Sequence, residues 1–349
     1  MTATNEATGT ASTTEVTATE VTTTEGVTLA QAVNRALRDA MTADDKVLVF
    51  GEDVGVLGGV FRVTDGLTRD FGEHRCFDTP LAEAGIMGAA IGMAMYGYRP
   101  VVEMQFDAFA YPAFEQIASH LAKMRNRTRG ALPMPVVVRV PYGGGIGGVE
   151  HHSDSSEGYF VQTPGLQVVA PASVEDAYGL LRAAIESDDP VIFLEPKRLY
   201  WSKADLTLPS STAPIGKAAV RCTGADATLI AYGPTVQTAL EAAEFAAADG
   251  YDLEVVDLRS IVPFDDATVC ASVRKTGRAV VIHEAAGFGG TGAEIAARVS
   301  ERCFHWLAAP VRRVTGFDIP FPPPKLERHH LPSVDRILDA VASLQWEDR

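Results

Sequence analysis

The chain has 349 residues, of which 46% are hydrophobic and 21% are charged, and its formal net charge at pH 7 is −15. This length suggests two domains of about 150 residues, and the acidic charge argues against nucleic-acid binding, because proteins hold phosphate backbones with Lys and Arg. The sequence contains neither an apolar run of about 18 residues nor a CxxC pair among its four cysteines, which excludes a membrane span, a zinc finger and a disulfide framework.

The start of the chain differs in composition from the rest. Residues 1–26 are mainly Thr, Ala, Glu, Val and Ser, with no aromatic residue, Lys or Arg. Such a segment buries too little apolar surface to offset its ordering entropy, so a disordered tail is predicted. We predict a first domain over 27–202, a linker over 203–219 and a second domain over 220–349.

Helical and short apolar stretches alternate from Val27 onward. A helix is predicted over 28–45, with Thr28 as its N-cap. Further helices are predicted over 83–97, 174–187, 235–250, 291–303 and 333–344, and buried strands over 46–53, 99–106, 134–141, 190–196, 227–233, 253–259 and 278–284. This alternation indicates an α/β protein whose parallel sheet is covered by helices on both faces, followed by a smaller α/β domain.

Two glycine-rich stretches match the letters of the dinucleotide-binding motif GxGxxG. The first contains Gly143, Gly145 and Gly148, but a polar His-Ser-Asp-Ser run follows it instead of a helix. The second, over 287–292, lies between a predicted strand and a predicted helix, although no clear ribose-binding acid ends the next strand. An NAD-binding module therefore remains an alternative.

The stretch DTPLAEAGIMG over 78–88 is the most informative about chemistry. Its Thr-Pro pair begins a predicted helix, and Glu83 in the opening turn is the only charged residue between Asp78 and Arg99. A helix that is apolar nearly all round is expected to be buried, and a buried carboxylate needs a partner or a proton. An acid near a helix N-terminus is also favoured by the helix dipole alone, so a structural and a functional role both stay open.

Six motifs follow one another along the chain: FGEDVGVLGGVFRVTDGL over 50–67, the stretch over 78–88, EMQFDAFAYPAFEQI over 103–117, YGGGIGGVEHHSDSSEGYF over 142–160, FLEPKRLYW over 193–201 and VVDLRSIVPFD over 255–265. Together they resemble the beta subunits of thiamine-diphosphate-dependent 2-oxo acid dehydrogenases. The resemblance covers nearly everything from Val27 onward. Gln105-Phe106 and the Tyr-Pro-Ala-Phe of 111–114 are most similar to the branched-chain, or 2-oxoisovalerate, type, which is close to the pyruvate dehydrogenase beta subunit.

The resemblance implies a transketolase-type pyrimidine-binding domain followed by a transketolase C-terminal domain. It implies that Glu83 hydrogen-bonds a ring nitrogen of the aminopyrimidine of thiamine diphosphate, which suits a carboxyl group able to share a proton. Leu81 and Gln105 would border the pyrimidine, and Glu52 would approach the same pocket unless it serves a structural network. Phe109 stands where family members often have Tyr, so it can stack on the cofactor but cannot donate a hydrogen bond.

A histidine and a potassium site are implied by the same resemblance. His152 corresponds to an active-site histidine that would act as acid or base in acyl transfer, while the unusual stretch over 154–157 keeps a structural role open. Carbonyl groups near five positions would hold a potassium ion: Val136, Val137, Ala184, Ser187 and Asp189. Ser187 replaces a usual Asp in this set.

An alpha subunit is also implied. The chain contains no GDG stretch, through which enzymes of this class hold Mg²⁺ and the diphosphate. The alpha subunit would therefore supply the metal site, in a heterotetramer of two alpha and two beta chains that works with a lipoyl acyltransferase core. The cytoplasm is the expected compartment, because the widely spaced cysteines suit a reducing environment.

The expected reaction is oxidative decarboxylation of a branched-chain 2-oxo acid on thiamine diphosphate, with acyl transfer to a lipoyl group. Pyruvate or acetoin dehydrogenase is the alternative within the same class. A non-catalytic assembly subunit that keeps the fold is the alternative from a different class.

Overall fold

The computed structural model describes residues 21–210 and 214–344. Its strands are β1 Thr22–Thr28, β2 Val47–Gly51, β3 Cys76–Asp78, β4 Arg99–Glu103, β5 Val137–Tyr142, β6 Gln167–Val169, β7 Val191–Pro196, β8 Lys203–Leu208, β9 Ala219–Cys222, β10 Ala227–Ala231, β11 Leu253–Asp257, β12 Ser260–Val262, β13 Ala279–Ala286 and β14 Arg312–Gly316. Its α-helices are α1 Leu29–Ala43, α2 Leu67–Phe71, α3 Glu83–Met95, α4 Ala122–Arg127, α5 Glu157–Val161, α6 Val174–Glu186, α7 Thr235–Ala248, α8 Asp266–Thr276, α9 Thr291–Cys303, α10 Glu327–His330 and α11 Val334–Ala342.

The first domain is built on a sheet whose described strands lie in the order β12-β6-β7-β5-β4-β2-β3. Neighbouring strands are parallel except β12, which runs antiparallel to β6. Along β2, Leu48 and Phe50 pack into a cluster that includes residues of α3, whereas Val47 and Val49 pack with α1 and α6. Because successive side chains of a strand point to opposite faces, helices cover both faces of this sheet, as predicted.

The second domain has a smaller sheet, with described strands in the order β14-β13-β10-β11-β9. Its strands are parallel except β9, which is antiparallel to β11. Helices α7 and α11 pack on one of its apolar clusters through residues such as Ala239 and Ile337. The expected second α/β unit is therefore present. No helix within the described ranges is long and apolar enough to cross a membrane.

Helix α1 begins where the sequence predicts. The backbone N–H of Gln31 donates to Thr28 Oγ1 at 3.2 Å, and the backbone N–H of Thr28 donates to Gln31 Oε1 at 2.9 Å. This reciprocal pair is a capping box, which satisfies two of the N–H groups that a helix start leaves unpaired. The capping box fixes the start of α1, which packs with α6 on one face of the first sheet.

The predicted tail and linker both need correction. Residues 22–26, within the predicted tail, belong to β1, which pairs antiparallel with β8 over 203–208, within the predicted linker. The hydroxyl groups of Thr23 and Thr207 lie 3.0 Å apart across this pair. The two strands are about 180 residues apart in the chain, and β1 is largely exposed, so neither apolar periodicity nor local composition reveals the pairing. The rest of the predicted tail, over 1–20, lies outside the described residues.

Helix α3 is not buried on all sides, so that prediction is wrong. Ile86 and Met87 are buried against the sheet, whereas Gly88, Ala89 and Gly92 are exposed. The exposed residues are small and apolar, which is why the sequence resembles that of a fully buried helix. One face of α3 in this chain is therefore apolar and open.

Candidate active site

Four of the predicted site residues lie along one edge of the first sheet. Glu52 directly follows β2, Glu83 begins α3 after β3, and Gln105 and Phe109 follow β4. Because β2 lies between β3 and β4 and all three run parallel, their carboxyl ends meet at the same edge. Ligands of open α/β sheets bind at this edge.

Two carboxylates are buried there. Glu52 is 6% exposed and Glu83 is 9% exposed. The pKa of Glu52 is raised above its ordinary value, first by burial and then by the negative charges of Glu83 and Asp53. Glu52 Oε1 is buried and has no hydrogen-bond partner among the described residues. An unpaired buried carboxylate oxygen is costly, so it indicates a partner that this chain does not supply.

Gln105 is joined to this pair through Asp53. Its Nε2 donates to Asp53 Oδ2 at 2.8 Å. Asp53 has a φ of 56°, in the left-handed backbone region that residues other than glycine seldom adopt. Backbone strain of this kind concentrates at functional sites. Asp53 was not predicted as a site residue, although two successive acids at the end of a buried strand could have indicated it.

Aromatic rings of the segment that follows β4 pack against His152. The ring centroid of His152 lies 4.2 Å from that of Phe106 and 5.6 Å from that of Phe109, and both contacts are edge to face. The ring centroid of the exposed His151 lies 4.3 Å from that of His152. Phe109 thus contacts the histidine that the resemblance singles out, and His152 lies beside the segment that follows β4.

The charge state of His152 is set by its surroundings. Its pKa is lowered from the ordinary value, mainly by burial and further by the charges of His151 and Lys197, with Glu150 acting in the opposite direction. A lowered pKa keeps the imidazole neutral near pH 7, with one nitrogen free to accept a proton and the other to donate. Such a group can act as acid or base if a reacting atom lies within reach.

Leu81 is largely exposed in the isolated chain. Its side chain is 78% exposed and precedes the buried Glu83 by two residues. Its contact with a pyrimidine ring stays a prediction.

The predicted potassium ligands lie close together where α6 ends beside the starts of β5 and β7: Val136, Val137, Ala184, Ser187 and Asp189. Several of their oxygens already have donors. The Val136 carbonyl accepts from the backbone N–H of Val191 at 3.0 Å, the Ser187 carbonyl accepts from Arg99 at 3.0 Å, and the Asp189 carbonyl accepts from the Ser187 hydroxyl at 3.2 Å. A potassium ion would have to share these carbonyl oxygens with their present donors, so this site stays a prediction.

A buried ion network beneath the site escaped the sequence analysis. Arg139 is fully buried in β5 and pairs with Glu103 at 2.7 Å and with Glu195 at 2.6 Å. The Tyr200 hydroxyl also donates to Glu195. These charge-assisted bonds tie β4, β5 and β7 together just before their carboxyl ends. The available signal was a lone Arg within the apolar run VVVRV over 136–140.

The first glycine-rich stretch begins the loop over 143–156, named here the histidine loop because it carries His152. Gly143, Gly145 and Gly147 have φ values of 80°, 94° and 68°, and a single 3₁₀ turn over 150–152 follows. This geometry does not provide the strand–turn–helix of a dinucleotide motif.

At the second stretch, the N–H of Gly292 at the start of α9 donates to His283 Nε2 at 3.1 Å. That donor is therefore used within the domain. His283 is completely buried.

Comparison with known proteins gives the same architecture. Residues 25–202 match the family described as Transketolase, pyrimidine binding domain, and residues 216–337 match Transketolase, C-terminal domain. The chain is 55% identical over 317 residues to the pyruvate dehydrogenase E1 component subunit beta of Leifsonia xyli subsp. xyli, covering 91% of this chain and 94% of that protein. It is also 55% identical over 318 residues to the 3-methyl-2-oxobutanoate dehydrogenase subunit beta of Mycobacterium tuberculosis, covering 91% of each. The chain belongs to the 2-oxo acid dehydrogenase beta subunits.

More distant proteins share the fold of this beta subunit. A split gene transketolase solved as an inactive beta4 tetramer has a TM-score of 0.71 and 24% sequence identity, covering 91% of this chain and 98% of that one. The transketolase-type fold is thereby confirmed. In the described part of this beta subunit, no group of three or more His, Cys, Asp or Glu residues is placed to hold a metal ion.

Proposed function

We propose that this chain is the beta subunit of the decarboxylating component of a branched-chain 2-oxo acid dehydrogenase and forms the aminopyrimidine side of a thiamine diphosphate site. The observation that carries the proposal is the pair of buried carboxylates, Glu52 and Glu83, with Glu52 Oε1 left without a partner. A nitrogen-rich ring that exchanges protons fits this donor set, because buried carboxyl groups hydrogen-bond and share protons with such nitrogens. When bound, thiamine diphosphate supplies the carbon nucleophile that amino-acid side chains lack.

The chain's own residues have separate tasks in this proposal. Glu83 holds a proton at the ring nitrogen, and Glu52 accepts a further hydrogen bond beside it. Gln105 and Phe109 border the ring, and Phe109 also keeps water from the pocket. His152, kept neutral by its surroundings, takes or gives a proton beside the substrate as an acyl group is transferred to lipoyl.

An alpha subunit completes the site in this proposal. Helix α3 begins at the buried Glu83 and carries the open apolar face with Gly88, Ala89 and Gly92, so we expect a partner that covers this face to close the pocket as well. The alpha subunit would hold Mg²⁺ and the diphosphate, in a heterotetramer of two alpha and two beta chains that delivers acyl groups to a lipoyl acyltransferase core. The four cysteines are unpaired, which suits a cytoplasmic complex.

The replacement Glu83→Gln tests the cofactor assignment. The chain, purified with its partner, is assayed with thiamine diphosphate, Mg²⁺, 3-methyl-2-oxobutanoate and an artificial electron acceptor. We expect decarboxylation to fall by roughly 10²- to 10⁴-fold, the usual contribution of a positioned proton-transfer group, while assembly with the alpha subunit is kept. Glu73→Gln, at an exposed position, is the matched control. Unchanged turnover in Glu83→Gln would contradict the assignment.

The same assay separates the alternatives. Pyruvate is assayed as a separate substrate, because one relative at 55% identity is named as a pyruvate dehydrogenase subunit and the other as a 3-methyl-2-oxobutanoate dehydrogenase subunit. Turnover of pyruvate or acetoin alone would move the assignment to those enzymes. No turnover of any substrate with the partner bound would favour a non-catalytic assembly subunit, and NADH binding by the chain would favour the NAD module. Exchange of potassium for sodium in this assay checks the potassium site.

A further inference from the structure

The histidine loop is bound along its length by side chains of the second domain. Glu284, in β13, accepts from the backbone N–H of Gly144 at 2.7 Å and from the Ser155 hydroxyl at 3.2 Å. Glu327, the first residue of α10, accepts from the backbone N–H groups of Gly145 and Gly147, the latter at 3.2 Å. Two carboxylates of one domain thus accept four hydrogen bonds from a loop of the other.

The glycines of the loop are required by this close approach. A β-carbon on Gly143 would overlap the carboxylate of Glu284, and one on Gly145 would lie 2.6 Å from Arg198 Cδ. Only glycine combines such contacts with positive φ values at no steric cost. The sequence motif that resembles a nucleotide-binding loop therefore has a different explanation, namely a run of N–H groups aimed at carboxylates.

The far end of the histidine loop is fixed by the first domain. Asp107 is fully buried and accepts from the backbone N–H of Ser156 at 2.8 Å and from the hydroxyl of the same residue. Asp107 also begins the 3₁₀ turn that carries Phe109. His152 therefore lies between a segment tied to the second domain and an end tied to the aromatic wall that it contacts.

We propose that Glu284 and Glu327 are positioning residues for His152, through which the C-terminal domain controls the proton-transfer group of the active site. The inference rests on the proposed function of His152, whereas the hydrogen bonds between the histidine loop and the second domain are independent of that function. Within the described residues the loop contains only one 3₁₀ turn, so it depends on these bonds rather than on regular structure for its shape. Hydrogen bonds to charged acceptors are the stronger kind and suit this task.

Glu327→Ala and Glu327→Gln, made in the full chain with its partner, test the proposal. Glu327 is only half-buried, so its removal is compatible with folding. We expect Glu327→Ala to lower kcat roughly 10- to 100-fold, because small misplacements of a catalytic group have effects of this size. The affinity for thiamine diphosphate should stay unchanged, since Glu52 and Glu83 lie on other segments. Glu327→Gln keeps one acceptor oxygen and should fall between the wild type and Glu327→Ala.

Two further measurements do not depend on turnover. The groups that act on the charge of His152 are His151, Lys197 and Glu150, and burial is the main cause of its lowered pKa. If the loop loosens, NMR titration should show the pKa of His152 moving up toward its ordinary value, and the amide hydrogens of Gly145 and Gly147 should exchange faster. Glu244→Gln, at an exposed position of α7, should change none of these quantities.

The outcomes are distinct. Wild-type kcat in Glu327→Ala, an unmoved His152 pKa, or a loss confined to cofactor affinity would each overturn the proposal. A variant at the other carboxylate, Glu284→Ala, removes the oxygen that accepts from Gly144 and Ser155. It should reproduce the upward shift in the His152 pKa, and failure to do so would also count against the proposal. If the wild-type complex turns over no 2-oxo acid while the pKa and exchange changes occur, positioning by the second domain stands and the proposed function falls.

Discussion

At the scale of single residues, Glu52 is a buried group of the candidate site whose hydrogen bonds are incomplete. Burial and two neighbouring negative charges raise its pKa, and one of its oxygens has no partner among the described residues. A residue kept only for stability would be expected to have its hydrogen bonds completed within the chain. An unfavourable local arrangement at the edge where ligands bind indicates a residue kept for function.

The replacement Glu52→Gln should separate these two roles. It removes the repelled charge while keeping the shape of the side chain, so we expect the melting temperature of the chain to stay the same or rise. The affinity of the assembled enzyme for thiamine diphosphate should fall by roughly 10- to 100-fold, the worth of one hydrogen bond to a charged group. Calorimetric titration and thermal unfolding measure the two effects. A lower melting temperature with unchanged affinity would indicate that Glu52 is structural.

At the scale of elements, α3 links the site to the proposed partner. Its buried face packs on the first sheet, and its first residue is Glu83. The opposite face exposes Gly88, Ala89, Gly92 and Met95. Small residues allow another backbone to approach closely, and an exposed apolar face beside a ligand site is typical of an interaction surface.

A charge placed on this face should prevent assembly. We expect Ala89→Arg to weaken association with the alpha subunit by at least roughly tenfold, because an unpaired charge buried in an interface costs several kcal/mol. Arg is a good helix former, so α3 itself should persist. Ala247→Arg, at an exposed position of α7, is the matched control. Size-exclusion chromatography of the co-expressed subunits measures the effect, and normal assembly of Ala89→Arg would contradict a partner on this face.

The elements also show what the sequence can and cannot predict. Helices such as α1 and α6 follow from apolar spacing and caps, and the central strands follow from apolar runs, because these signals are local. The β1–β8 pair and strand β12 were not predicted, because the strands involved pair with residues that are distant in the chain. Asp53 and Arg139 were missed for a related reason. Their roles depend on which charged groups the fold brings opposite them, and no spacing along the sequence records this.

At the scale of the whole molecule, the two domains form one continuous structure. Strand β12, from the C-terminal part of the chain, extends the first sheet through β6. Across the same boundary, the hydroxyl of Tyr232 in the second domain donates to Glu157 Oε1 at 2.6 Å. Glu157 is fully buried at the start of α5, immediately after the histidine loop. Changes at this boundary should therefore affect the stability of the whole chain.

The burial of Glu157 should make the stability of the chain depend on pH. Burial raises the pKa of Glu157 from 4.5 to about 8, the hydrogen bond from Tyr232 acts in the opposite direction, and the charges of Asp107 and Glu284 act in the same direction as burial. Because the folded-state value lies above the unfolded one, the stabilisation is complete below about pH 4.5 and is lost as the pH rises through about 8. Glu157→Gln keeps an acceptor for Tyr232 but cannot ionise. We expect the melting temperature of the wild type to fall relative to that of Glu157→Gln between pH 5 and 9, whereas parallel curves would show that Glu157 is already ionised in the folded state.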